Sequence, residues 1–130
     1  MEVYKDLEFY KLFYDKSTNI GKGVWNHFTT HENHVIAGNA VLDFIREKKL
    51  KKWIGNSLNI GVVPQASNEY WQKEWFPKAL ELGIRYIGYI APEKEIAKMS
   101  SQQITQTFES GLVVKTIESE EKAFEWLKTL

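Results

Sequence analysis

Residues 52–91 read KWIGNSLNIGVVPQASNEYWQKEWFPKALELGIRYIGYIA. Their reading decides the fold. The first five residues end in Gly55-Asn56-Ser57 and suit a buried strand running into a loop. Ser67 is placed to N-cap a helix. Trp71, Trp75, Ala79 and Leu82 then fall on one helical face, widened by Phe76 and Leu80. Gly83 supplies the left-handed residue that ends the helix. Residues 84–90, IRYIGYI, form a second strand, stopped by Ala91-Pro92. Strand, helix and strand with short joints imply a crossover onto a parallel sheet. Pro77 lies inside the helix but opposite its apolar face. The spacing predicts either a kink that is convex to solvent or two shorter helices meeting at the proline.

Outward from this unit, residues 8–15 and 20–25 alternate like strands around a Lys16-Ser17-Thr18-Asn19 turn. They predict an N-terminal antiparallel hairpin, the second strand weakened by Gly21 and Gly23. Thr29 through Glu32 has the capping-box pattern, with Thr29 as N-cap. The helix it opens runs to about Lys48, with His34, Ala37, Val41, Phe44 and Ile45 on its apolar face. Beyond the central unit, Glu93 opens a short helix. Ser100 with Gln103 caps a further helical turn or two, ending before Gly111. Residues 112–117 form the last strand. Ser119 caps a final helix with Ala123, Phe124, Leu127 and Leu130 facing inward. Alternating β and α units behind a hairpin predict an α/β layer fold.

The chain has 130 residues, enough for one domain (1–130) with its own core. With no cysteine, disulfides and thiolate chemistry are excluded. Lys plus Arg and Asp plus Glu balance at 17 each, which argues against a nucleic-acid partner. The N-terminal residues carry neither a signal-peptide run nor a membrane span, so a cytoplasmic protein without stable membrane association is expected.

Several motifs fit a family. Trp25-Asn26-His27-Phe28, Lys51-Lys52-Trp53, Asn59-Ile60-Gly61-Val62-Val63, Glu74-Trp75-Phe76-Pro77 and Gly83-Ile84-Arg85 recur in this order. The chain resembles small stand-alone bacterial STAS-like proteins of the Bacteroidetes type, with the SpoIIAA-like fold. That fold is structurally related to CRAL-TRIO lipid-binding domains. The resemblance implies a mixed sheet covered by helices and a regulatory, protein-interaction role in signalling. It leaves room for a homodimer. In phosphoswitch members a serine is modified at a helix N-terminus after the central strand. The matching stretch here is Pro64-Gln65-Ala66-Ser67-Asn68, with Gln65 replacing the acid and Asn56 the strand-end aspartate.

Three constellations are candidates for function. The loop and cap residues Asn56, Ser57, Asn59, Gln65 and Ser67 would form a partner site, with Ser67 either a phosphoacceptor or a plain helix cap. Trp53, Trp71 and Trp75, beside Phe76, either fill the core or line an apolar ligand pocket at the strand ends. Helical spacing favours core; Gly55 and Gly88 leave space for the pocket. His27, His31 and His34 cluster in sequence. His31 and His34 are spaced i, i+3 rather than the i, i+4 of H-E-x-x-H, so no metal is expected. The basic run 46–52 reads as a solvated helix end. No nucleophile–base–orienter pattern appears, and the sequence predicts no enzyme and no cofactor. The first functional expectation is an interaction module with a protein partner; the alternative is a small apolar-ligand or lipid carrier.

Overall fold

The computed structural model describes residues 1–26, 29–96, 104–108 and 110–130. A seven-stranded mixed sheet has the order β1-β2-β3-β4-β5-β7-β6. The N-terminal part is a three-stranded meander rather than a hairpin: β1 (Glu2–Asp6), β2 (Tyr10–Asp15) and β3 (Ile20–Trp25) pair antiparallel. The charged, exposed β1 carries too little apolar alternation to be read as a strand. Its register slips between Val3 and Lys5, and Tyr4, at the slip, stacks on Phe44 with ring centroids 3.8 Å apart.

From β3 the chain crosses through α1 (His31–Lys48) to β4 (Lys52–Asn56), parallel to β3. It crosses again through a long broken helix to β5 (Tyr86–Ile90), parallel to β4. Both crossovers step the same way across the sheet, so one handedness of connection leaves both helices on one face. The larger core lies there, around Leu12, Phe44, Trp53, Trp75 and Ile87. After β5 a one-turn helix α4 (Glu93–Ile96) precedes β6 (Ile104–Thr107), which pairs antiparallel with β7 (Val113–Thr116). The final helix α5 (Glu120–Lys128) covers the opposite face, burying Ala123 and Leu127 against Ile20, Ile54, Ile90 and Ile117. Ser119 caps it as predicted, accepting from the Lys122 N–H. Leu130, expected inside, is exposed.

Strand β6 replaces most of the helix predicted before Gly111. Ile104, Thr105 and Thr107 are β-branched residue types, whose intrinsic preference is for strand over helix. A tight turn after β6 then closes the hairpin, through Phe108 N–H to Leu112 O (2.8 Å) and a left-handed Gly111. The predicted Ser100/Gln103 cap lies outside the described residues.

The N-cap of α1 is Thr30, not Thr29: the Asn33 N–H donates to Thr30 Oγ1 at 3.2 Å. Thr29 is instead buried, its hydroxyl bonded to His34. The apolar face predicted for α1 is the buried one, His34 included.

The broken helix is continuous in winding sense. It comprises α2 (Gln65–Tyr70), a π turn (Trp71–Trp75) and α3 (Phe76–Leu82). Phe76 N–H bonds to Trp71 O, five residues back. Pro77 has no N–H, and its ring would crowd the carbonyl four residues earlier. The wide turn ends just before it and absorbs the conflict. Pro77 is exposed, on the side facing away from the core. Gly83 ends the helix with φ of 117°, as the sequence reading required.

Candidate functional site

Between the sheet and the helices on its larger-core face lies a cleft of about 480 Å³. Its floor is built from alternate residues of the parallel strands: Trp53 and Gly55 on β4, Ile87 and Tyr89 on β5, Val114 and Thr116 on β7. Period-two alternation sends the intervening Ile54 and Gly88 to the α5 side. Tyr10 and Trp25 close the inner end; Trp71, Trp75 and Phe76 form the roof. Tyr10, Trp53 and Trp75 are buried, whereas Asn68, Gln72 and Phe108 are exposed, so the cleft runs from a closed end to a mouth. From β2 to β7 is four strand spacings, roughly 19 Å.

Two features keep this space open. Gly55 places no side chain on the floor; a Cβ there would meet nothing nearer than Trp53 Nε1 at 3.8 Å. Above it the π turn matters. Its wider winding brings positions four apart closer to eclipse than an α turn does. Trp71 and Trp75 therefore stand together edge to face, with ring centroids 5.2 Å apart.

Both roof tryptophans are fixed by their indole N–H groups. Trp75 Nε1 donates to Gly38 O at 3.0 Å, and Trp71 Nε1 donates to His34 Nδ1 at 3.0 Å. Because an indole N–H can only donate, His34 Nδ1 must be an acceptor. The imidazole proton therefore sits on Nε2 and is donated to Thr29 Oγ1 at 2.7 Å. The ring is neutral in this arrangement. Burial, and then the neighbouring His31, lower its pKa to about 4. His34 also lies 4.5 Å from the Trp25 ring, centroid to centroid. The result is a chain of aromatic groups whose orientations depend on one another.

The structure brings Trp53, Trp71, Trp75 and Ser57 to the cleft and takes the other candidates elsewhere. Asn56 points to the opposite face, donating to Glu120 Oε2 at 2.5 Å while its Oδ1 accepts the Leu58 N–H. Glu120 also pairs with Lys22 at 2.7 Å, so Asn56 joins strand to helix. Asn59 lines a separate surface groove with Val62 and Glu93. Gln65 is exposed at the start of α2. Ser67 is not the N-cap. Pro64 holds that position without a side-chain bond, and Ser67 is buried in the first turn, 2.9 Å from His31 Nδ1. The helix starts three residues early because Pro64 brings a preset φ and Ser67 finds its partner on α1. His31 and His34 turn to different partners, Ser67 and the Thr29–Trp71 pair. Among the described residues no group of three or more His, Asp or Glu is placed to hold a metal. His27 lies outside the described residues.

Tyr10 and Trp25 were not legible as site residues, and His34 was legible only as a member of the histidine cluster. Tyr10 alternates with Leu12 as any core strand residue does, and its place over Gly23 and against the Trp25 ring arises only from strand pairing.

No protein-family model matches the chain, and no curated protein or solved structure does. Among the described residues no helix is long and apolar enough to cross a membrane.

Proposed function

We propose that the protein is a non-catalytic binder of a small, mainly apolar molecule, held in the cleft between the sheet and the broken helix. The single observation carrying this reading is the 480 Å³ cleft lined by Trp25, Trp53, Trp71 and Trp75. Its volume falls in the range of small-molecule sites, and its place beside the C-terminal ends of parallel strands is where ligands of α/β sheets collect. Large rigid aromatics offer contact area at little entropic cost, and here hydrogen bonds already fix two of them. His31 and His34 are both engaged in internal bonds, which favours binding over proton-transfer chemistry.

The test is native mass spectrometry of the protein as isolated from cells, beside the Gly55→Val variant, which occupies the floor. A retained small molecule on the wild type, absent from the variant, is expected. No adduct, together with no thermal shift across a panel of neutral apolar compounds, would sink the reading.

A second reading keeps the STAS-like resemblance and its SpoIIAA-like fold: a regulatory module with a protein partner. It is favoured by Val62, 71 % exposed on the loop after β4, beside the groove that Asn59 lines. Val62→Asp is expected to abolish capture of that partner while leaving the melting temperature unchanged. Undiminished capture would refute it.

A further inference from the structure

The closed end of the cleft holds two hydrogen-bond donors that are not used by the described residues. Tyr10 is 3 % exposed and Trp53 is 3 % exposed, and both line the cleft. The roof indoles of Trp71 and Trp75 have partners in His34 and Gly38. Among the described residues none bonds to the Tyr10 hydroxyl or the Trp53 indole N–H. Burial alone raises the Tyr10 pKa, with no hydrogen-bond or charge partner contributing. No fully enclosed side-chain polar atom lacks a partner among the described residues. The two free donors are therefore reached from the cleft itself.

The donors also converge. Gly23 on β3 pairs with Gly55 on β4. The Tyr10 hydroxyl lies over Gly23, 1.8 Å from where its Cβ would be, and Trp53 Nε1 lies 3.8 Å from the Cβ position of Gly55. Paired strands are only about 4.8 Å apart. Both groups thus lie beside one glycine pair, with the Tyr89 ring, its Cδ1 3.9 Å from the Cβ position of Gly55, at the edge of the same space.

Among the described residues, none lining the cleft is Asp, Glu, Lys or Arg. A charged ligand would lose its hydration without an ionic partner, a large cost in an apolar site. An unused buried donor, by contrast, rewards a ligand that brings an acceptor and penalises one that does not.

Resting on the cleft reading above, we propose that the ligand is an uncharged, elongated apolar molecule with a carbonyl-type oxygen at one end. That oxygen accepts from Tyr10 Oη–H and Trp53 Nε1–H at the closed end, and the apolar body runs under Trp71 and Trp75 toward the mouth.

Isothermal titration with three shape-matched probes tests this: acetylnaphthalene, ethylnaphthalene and naphthoate, against wild type, Tyr10→Phe and Trp53→Phe. The wild type is expected to bind the ketone roughly tenfold more tightly than the hydrocarbon, and naphthoate more weakly than the ketone. Tyr10→Phe removes an oxygen without a partner among the described residues, so folding is expected to be retained. The ketone preference should fall toward unity while ethylnaphthalene affinity stays the same. Trp53→Phe should lower the same ratio, which keeps the test decisive if either variant folds poorly. Hydrocarbon and ketone binding equally, an unchanged ratio in both variants, or naphthoate binding tightest would overturn the proposal and leave the cleft reading standing. No binding of any probe to the wild type would overturn both.

Discussion

Replacing Gly55 by valine separates an open cleft from a filled core by the sign of its effect on stability. Gly55 lies inside a strand, outside the positive-φ region, and a Cβ there has no neighbour within 3.8 Å. Removing a strand-interior glycine gains about 0.5–1 kcal/mol of backbone entropy and strand preference. Each added carbon that leaves water contributes up to about 0.8 kcal/mol, less where the cleft stays wet. A net stabilisation of about 1–2 kcal/mol is expected, or a rise of about 3–8 °C in melting temperature. Gly21, one strand away, is the control. A Cβ there would lie 2.6 Å from the Trp53 ring and 2.7 Å from Leu50, so Gly21→Ala should cost about 1–3 kcal/mol by overpacking. The assay is urea titration followed by circular dichroism, comparing midpoints at equal slope. A loss above about 1 kcal/mol for Gly55→Val would mean that the space over the sheet is packed, and the argument from the cleft would fail.

Trp75→Ala should cost about 3–5 kcal/mol, since Trp75 is 4 % exposed and its indole bond to the Gly38 carbonyl is lost with its packing; denaturant titration showing under about 1 kcal/mol would place it outside the core. His34 binds its proton less readily when folded than when unfolded. Stability should therefore be full above about pH 6.5 and fall by roughly 2–3 kcal/mol as pH drops toward about 4. His34→Gln should flatten that slope in thermal melts; an unchanged slope would assign it to other groups. Ser67→Asp, harmless at an N-cap, should lower stability by about 2 kcal/mol because Ser67 is buried against His31. A melting temperature equal to wild type would show that the first turn of α2 opens readily.

The parts of the fold legible in the sequence are those written in local pattern. Gly83 ends α3 and Ser119 begins α5 because each residue's own backbone or hydroxyl sets the boundary. The Trp71/Trp75 spacing marked a buried helical face, but core and pocket use the same spacing. Only the absence of a side chain at Gly55, facing that roof across the layer, separates them, and such an absence has no periodicity. Thr29 and Ser67 were misread for one shared reason. Each is a hydroxyl residue near a helix start whose bond goes to a histidine distant in the cap pattern, His34 and His31. Ile104 to Thr107 showed the limit of capping rules, since pairing with β7 outweighed a nearby Ser/Gln pattern.

The π turn of residues 71–75 amounts to one residue more than an α-helix of the same span would hold. The two halves of the broken helix are therefore out of phase by one position, about 100° of rotation. Ala79 sets the phase of α3 against the core, while Trp71 sets the phase of α2 against His34. Shortening the chain by one residue between Gln72 and Glu74 would restore uniform winding and bring a carbonyl against the Pro77 ring. It would also swing the Trp71 indole out of line with its imidazole. The proline and the roof of the cleft are thus tied to the same surplus residue, and neither can be adjusted by length without disturbing the other.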